Sequence, residues 1–394
     1  MYDVIIIGSG PAGMMAAISA RYKNKKVLLI EKNNVLGKKL LLTGGSRCNI
    51  TNNKNIKEFI NNIDCNPKAI YSTLNNFGPK EIISFFEKRG VRLKEEENNK
   101  IFPRSDKSID IVNAFIAELN KLNTDIHLNE EVIKIIFGEI KSVVTNKCTY
   151  EAKSVIIATG GLSYKHTGST GFGYDIAKKY KINITKLYPV ESSVYLESPL
   201  PCVGVTFKNT CIYYQNKIKS GSLIITHKGL SGPVIFKISE YIYKSLDKDR
   251  KIYIDFLCNK TKEELIKEMN NYESKRQIRT FIKEHVNVKL ADYILYINGI
   301  DGAKKIASTS NKDKEKIIKS LKKLELKIKK VEEIDKSVVT GGGISILEID
   351  TTKMESKKYK GVFFVGEVLD FHGPIGGYNL TIALSTGYTA GIFA

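Results

Sequence analysis

Two glycine-rich stretches, near the two ends of the chain, carry the residue types that dinucleotide chemistry needs. Gly8-Ser9-Gly10-Pro11-Ala12-Gly13 follows the apolar run Val4–Ile7 directly and opens a segment of helical composition. In this GxGxxG spacing, Gly8 permits a tight turn. Gly10 lets the backbone approach a pyrophosphate with no Cβ between, and Gly13 lets the helix lie close on the strand. Pro11 and Ala12 begin the helix, whose N-terminus presents N–H groups and a positive dipole end to phosphates. Glu31, with Lys32 beside it, ends the next apolar run 18 residues after Gly13. That is the place of a carboxylate that accepts from an adenosine ribose.

The second stretch, Gly366-Glu367-Val-Leu-Asp370 and then Gly376-Gly377-Tyr378-Asn379-Leu380, repeats the strand–turn–helix style. Ala158-Thr159-Gly160-Gly161 follows another apolar run and makes a third such turn. Three close backbone approaches imply a ligand long enough to cross a sheet edge. FAD is such a ligand, with AMP, pyrophosphate, ribityl and ring in sequence. In this reading the N-terminal turn holds the pyrophosphate and the C-terminal turn faces the ring. Asp370 accepts from a ribityl hydroxyl, and the last helix directs its N-terminus at the pyrimidine edge, favouring negative charge there. Val132, which opens a strand-like run, is counted among the cofactor contacts.

Gly44, Ser46, Arg47, Cys48 and Asn49 belong to a segment expected to pass under the ring. Arg47 is expected to support the pyrophosphate or ring by its charge. The six cysteines, at 48, 65, 148, 202, 211 and 258, show no CxxC spacing. This argues against a zinc site and a vicinal redox pair, and leaves Cys48 a packing or ring-contact role. No metal is expected. A reductase that adds hydride must also supply a proton, so His372, His166 and Tyr164 are candidate acids, although such residues more often serve as hydrogen-bonding props. Gly168–Gly173 does not follow a buried strand directly. A separate nicotinamide domain is therefore not expected, and any NAD(P)H would bind transiently over the flavin.

With these residues quoted, the chain resembles the aminoacetone-oxidase-like FAD-binding proteins, also called bile-acid-inducible-N-type flavoproteins. The resemblance covers essentially the full length. It rests on Thr43-Gly-Gly-Ser-Arg-Cys-Asn-Ile-Thr-Asn52, Phe102-Pro103, Ala158-Thr-Gly-Gly-Leu-Ser-Tyr164 and Thr226-His-Lys-Gly-Leu-Ser-Gly-Pro233. It continues in Thr340-Gly-Gly-Gly343 and the Gly366–Leu380 segment. It implies bound FAD, a redox reaction with NAD(P)H or an organic donor, and a barrel plus helical unit inserted near the middle. Some members are linked to double-bond reduction on steroid-like molecules, others to amine oxidation. Two positions depart from the family pattern. Ser46 stands where the family writes a third glycine, which suits a serine if φ is negative there. Lys165-His166 follow Tyr164 where the family tends to have proline.

The elements that must position these residues follow from periodicity. Val4–Ile7 and Val27–Ile30 are short apolar runs suited to strands buried on both faces, with a helix between them. Helical text fills 55–90, a small hairpin is expected over 91–102, and a helix over 109–122. Strands are expected at 126–128, 132–137, 140–145 and 155–158. After Tyr188-Pro189 the style changes: strand-like runs at Val203–Phe207 and Cys211–Tyr214, a helix over 231–243, a strand at 252–256, then lysine-rich helical text to about 323. The buried-strand and glycine style returns from Val338.

The fold class expected is α/β: a two-dinucleotide-binding-type, Rossmann-like FAD domain formed by 1–189 and 337–394. The insertion, 190–336, comprises a barrel over about 190–256 and 324–336 and a helical unit over about 257–323. At 394 residues the chain is long enough for more than one core. No apolar run is long enough to span a bilayer and no signal segment is evident, so a cytoplasmic protein without membrane contact is expected. The net charge is +20, but only eight of the 62 basic residues are arginine and the lysines are spread along the chain. This reads as compositional bias rather than a specific nucleic-acid site. The function expected is an FAD-dependent oxidoreductase acting on a small organic substrate. An RNA-modifying flavoprotein, or a flavoprotein whose insertion binds a partner, is the alternative. Oligomeric state is not legible.

Overall fold

The computed structural model describes every residue except Asp64. The chain divides into two compact units, residues 1–188 with 334–394, and residues 189–333.

The first unit is built on five parallel strands, β1 (Tyr2–Ile7), β2 (Val27–Ile30), β3 (Asp125–His127), β4 (Thr149–Ile157) and β5 (Val362–Phe364). Their spatial order is β5-β4-β1-β2-β3. Register is continuous through the centre, with Val4 opposite Val27 and Ser154, and Ile7 opposite Ile30 and Ile157. The last four residues of β1 and all of β2 are buried, which is why they lack the alternation of a half-exposed strand. The chain leaves β1 toward β2 on one side and β4 lies on the other. The strand order thus reverses at β1, and the crevice beyond the strands' carboxyl ends there is where ligands of open α/β sheets bind. A hairpin, Val132–Ile136 and Lys141–Thr145, pairs antiparallel with the first half of β4.

Helix α1 (Pro11–Tyr22) packs on this sheet, and α2 (Tyr378–Phe393) packs along α1. Every residue of α1 from Ala12 to Ala20 is buried. α2 is buried along most of its length and mostly apolar all round, the signature of an internal helix. Glycine makes their contact possible. A Cβ on Gly387 would lie 2.2 Å from the carbonyl oxygen of Ala12, and one on Gly391 2.3 Å from that of Ala16. At Gly387 backbone meets backbone, and at Gly391 the Ser19 hydroxyl, 2.0 Å from where a Cβ would sit, shares the contact with the Ala16 carbonyl.

The second unit holds a closed six-stranded barrel, formed by Val194–Leu196, Gly229–Ser231, Lys217–Ile225, Thr206–Tyr214, Lys251–Asp255 and Leu324–Val331 in that order around the wall. Helices Lys262–Asn271, Ile278–His285, Val288–Asn298 and Asn311–Lys322 lie between its fifth and sixth strands in sequence. The two strand-like runs at 203–207 and 211–214 turn out differently. Thr206–Tyr214 is one strand whose register against Lys217–Ile225 shifts between Phe207 and Thr210. The irregularity breaks the alternation and makes one strand read as two.

Because the α1–α2 contact is backbone against backbone, Gly387→Val is expected to destabilise the first unit by about 3 kcal/mol or more. That corresponds to a melting temperature lower by roughly 6–12 °C in a unit of this size. Circular-dichroism melting of the variant beside the wild type checks it, and an unchanged transition would show that the helices can separate without cost.

Candidate cofactor site

The N-terminal turn is shaped by contacts that explain its glycines one at a time. Gly8 has φ +96°, and a Cβ there would sit 2.6 Å from the carbonyl oxygen of Ala158. A Cβ on Gly13 would sit 1.9 Å from the carbonyl oxygen of Gly8, so helix and strand touch directly. Gly10 differs: its backbone is extended at φ −65°, and nothing lies within 4 Å of the position a Cβ would take. No contact with a described residue demands glycine there. The open space in front of Gly10 is the kind a bound group fills. Pro11 stands at the first helical position, where its missing N–H costs nothing.

Glu31 closes the same corner. Its Oε2 accepts from the Ser9 N–H at 2.9 Å and the Ser9 hydroxyl at 2.6 Å, and its Oε1 from the Asn33 N–H and Nδ2 at 2.8 and 2.7 Å. The carboxylate is buried and fully engaged, so a ribose contact requires it to exchange one of these donors. Lys32 donates to the Thr170 hydroxyl at 2.9 Å. The Glu130 N–H donates to the Glu31 carbonyl at 3.1 Å, which brings the start of the hairpin, with buried Val132, to this corner. Ala158 donates its N–H to the Ile7 carbonyl at 2.9 Å, and Thr159 and left-handed Gly160 (φ +69°) continue beyond it.

The Thr43–Asn49 segment departs from expectation in two respects. Ser46 has φ +67° rather than a negative value, and with Gly44, Gly45 and Cys48 it makes four left-handed residues in five. Serine there carries the strain that glycine avoids. Arg47 does not offer a free charge. Its guanidinium pairs with Glu96 and with Asp106 at 2.6 Å and lies 4.3 Å from the centre of the Phe102 ring. Cys48 is fully buried, and burial pushes its thiol up to about 12, so at neutral pH it is a protonated packing group rather than a nucleophile. The Oδ1 of Asn49 is buried and has no hydrogen-bond partner among the described residues.

The C-terminal turn begins at Gly366 (φ +74°), whose Cβ would approach that of Ala12 to 3.0 Å. Glu367 accepts from the Thr340 N–H at 2.9 Å and pairs with Lys39 at 2.5 Å. The Thr340 hydroxyl in turn accepts from the N–H groups of Leu162 and Ser163 at 2.8 and 3.1 Å. The Thr340 turn thus ties the loop after β4 to the turn after β5. Sequence reading missed Lys39 and Thr340; the second lies in the quoted Thr340–Gly343 motif, which was the available signal.

Asp370 receives the Cys65 thiol at 3.4 Å, and its backbone carbonyl accepts from Asn66 Nδ2 at 2.7 Å. Asn379 clamps the N–H and carbonyl of Gly373, each at 2.8 Å. Tyr378 packs its ring 4.4 Å from that of Phe59, and Leu380 packs on the core. Gly376 and Gly377 are both left-handed, at φ +125° and +91°, and a Cβ on Gly377 would lie 2.4 Å from the Thr51 backbone. Gly377 is therefore glycine because a neighbouring strand passes it. Of the acid candidates, His372 is buried with its ring 6.0 Å from that of Tyr188. Tyr164 is left-handed and lies 5.9 Å under the Lys39 ammonium, and His166 is exposed.

The arrangement matches the demands of FAD. There is an open cradle at Gly10, a carboxylate at the end of β2, and, in the segment beside the C-terminal turn, the buried Asn49 and Asn52 oxygens, which have no partner among the described residues. The profile described as HI0933-like protein Rossmann domain matches residues 2–393. The chain belongs to that family. It is an FAD-dependent oxidoreductase on a Rossmann α/β fold.

This family member is similar to the ribosomal RNA dihydrouridine synthase of Escherichia coli K12, 28% identical over 393 residues, covering 98% of this chain and 96% of that protein. It is similar to the 3-dehydro-bile acid delta(4,6)-reductase of Clostridium scindens, 29% identical over 405 residues, covering 99% and 98%. Among solved structures, the 3-ketosteroid delta1-dehydrogenase of Sterolibacterium denitrificans shares the fold, with a TM-score of 0.56 at 11% identity over 99% of this chain and 98% of that one. Among the described residues, no helix is long and apolar enough to cross a membrane.

Two outcomes follow. Gly10→Val is expected to keep the melting temperature of the FAD-free protein within a degree or two. It should weaken FAD binding by about 100-fold or more, the scale of two lost charge-assisted hydrogen bonds; flavin fluorescence titration beside a thermal melt measures both. Cys48 gives a pH dependence. Its folded value lies above the ordinary value of 9.0, so the folded state holds the proton longer than the unfolded chain. The stability from this group is complete below pH 9 and is lost as pH rises from about 9 to 12. Urea unfolding at pH 8 and pH 10 should show a smaller alkaline loss in Cys48→Ala than in the wild type.

Proposed function

We propose that this protein is a reductase that uses FAD to deliver hydride to an electron-poor carbon–carbon double bond conjugated with a carbonyl, in a small organic molecule. The observation that carries this reading is the near-full-length likeness to two relatives whose names both describe ring reduction. A delta(4,6)-reductase removes ring unsaturation, and dihydrouridine is uridine with one ring double bond reduced. It agrees with the narrower resemblance to bile-acid-inducible-N-type flavoproteins. Bound FAD would supply the hydride, with NAD(P)H as the donor that restores it.

The chain's own residues do the rest. The turn at Gly8–Gly13 and Glu31 hold the adenosine half, and the backbone of Gly366–Leu380 holds the ring half. The α2 N-terminus favours the electron-rich state of the pyrimidine edge. A side chain then supplies the proton that completes the reduction. Tyr164 and His372 are the candidates in this reading, since the exposed His166 lies in solvent. The location is read as cytoplasmic, where reduced nicotinamide is available.

A second reading, reduction of a base within RNA, is favoured by the E. coli relative and by the net charge of +20. One experiment separates the two. The NADPH-reduced protein is mixed anaerobically with a conjugated ketosteroid or with unmodified ribosomal RNA transcript, and flavin reoxidation is followed at 450 nm. Rapid reoxidation by the enone alone supports the first reading; reoxidation by RNA with dihydrouridine in the digest replaces it. In the same assay, loss of the proton donor, by Tyr164→Phe or His372→Gln, is expected to slow reoxidation about 100-fold or more while leaving flavin reduction by NADPH nearly unchanged.

A further inference from the structure

Asn52 is nine-tenths buried and more, with 3% of its surface exposed, and it sits on the two-residue strand Thr51–Asn52 against the C-terminal turn. Its Nδ2 donates to two backbone carbonyls, that of Gly376 at 3.1 Å and that of Asn98 at 2.9 Å. Both partners are acceptors only, so the amide has one sensible orientation: the NH2 faces them and the oxygen faces away. That oxygen, Oδ1, is buried and has no hydrogen-bond partner among the described residues. A buried carbonyl left unpaired is costly, and native structures rarely tolerate it without a bound partner. The turn that Asn52 grips is the one that starts α2, where Gly377, Tyr378 and Asn379 form the N-terminal end of a 16-residue helix. A helix N-terminus offers donors and no acceptors.

The pyrimidine edge of a flavin has a complementary pattern: two carbonyl acceptors flank a single imide N–H donor at N3. Backbone N–H groups can serve the carbonyls, but the imide N–H needs an acceptor. Resting on the FAD reading above, we infer that Asn52 is a flavin-positioning residue whose Oδ1 accepts the N3–H of the bound ring. Its Nδ2, by holding the Gly376 carbonyl, fixes the donor turn and the acceptor in one rigid unit. Asn52 thereby selects a ring with an unsubstituted imide and sets its register along the α2 N-terminus. The neighbouring Asn49, with its own unpaired Oδ1, marks the same segment as one that faces a ligand.

The test uses the full chain, freed of flavin, and two probes, FAD and N3-methyl-FAD, whose methyl group removes the one donor in question. Dissociation constants are read from flavin fluorescence for wild type and for Asn52→Ala, with circular dichroism confirming the fold of each. Wild type is expected to bind FAD about 10-fold or more tightly than N3-methyl-FAD, and Asn52→Ala to bind the two within about 2-fold of each other. Equal affinity of wild type for both probes overturns the inference without use of the variant, so a variant that fails to fold does not shelter it. A wild-type preference that persists undiminished in Asn52→Ala also overturns it, placing the N3 contact elsewhere and leaving the Asn52 oxygen to water. Failure of wild type to bind either flavin overturns the FAD reading itself, and the inference with it.

Discussion

The close approach of α1 and α2 is the constraint on which the first unit depends. Ala12 and Ala16 present bare carbonyl oxygens, and Gly387 and Gly391 present bare Cα atoms one helical turn apart. A side chain at either glycine would force the helices apart, since the Ala12 carbonyl meets one and the Ser19 hydroxyl and Ala16 carbonyl the other. Because α1 begins at the first glycine turn and α2 at the last, this single contact fixes both turns relative to the sheet. Gly366, 3.0 Å from the Ala12 side chain by its absent Cβ, adds the end of β5 to the same junction. A ligand that crosses the sheet edge meets a frame set by backbone packing, which moves less than side-chain packing does.

The polar loops around that frame are connected through a few hubs. Thr340 binds the loop after β4 through two N–H groups, and Glu367 binds Thr340 and Lys39. Glu31 gathers Ser9 and Asn33 around one carboxylate. Each hub satisfies buried polar groups that an apolar core would leave stranded. By contrast the side-chain oxygens of Asn49 and Asn52 have no hydrogen-bond partner among the described residues, which sets the Thr43–Asn52 segment apart. The left-handed run at Gly44, Gly45, Ser46 and Cys48 belongs to the same segment. Strained backbone and unpaired acceptors coincide there, the combination that function rather than folding tends to retain.

Part of the positive charge is paired within the fold. In the second unit, Lys322 pairs with buried Asp255 at 2.6 Å, Lys251 with Glu325, and Arg279 with Asp292. Lys217 and Lys219 stand over the Tyr241 ring, and Lys323 over Tyr253. Such pairs at the surface contribute little individually.

What the sequence determined by itself was local. Two strand–turn–helix glycine patterns, with a further glycine turn after β4, identified a dinucleotide fold, because the spacing of glycines between an apolar run and a helix start is recorded in the sequence even where the atoms they meet lie far along the chain. The apolar runs of β1 and β2 were readable for the same reason. Residues that act across the fold were not readable. Lys39 and Glu367 meet across 328 positions, and Asn52 and Gly376 across 324. No periodicity encodes such a meeting; it exists once α1 and α2 have locked the termini together. Tertiary structure alone decided that Arg47 spends its charge on Glu96 and Asp106, that Ser46 is left-handed, and that Gly377 answers to the Thr51 backbone. Backbone conformation and partner choice there depend on which segments pass within a few ångströms, and only the folded chain brings those segments together.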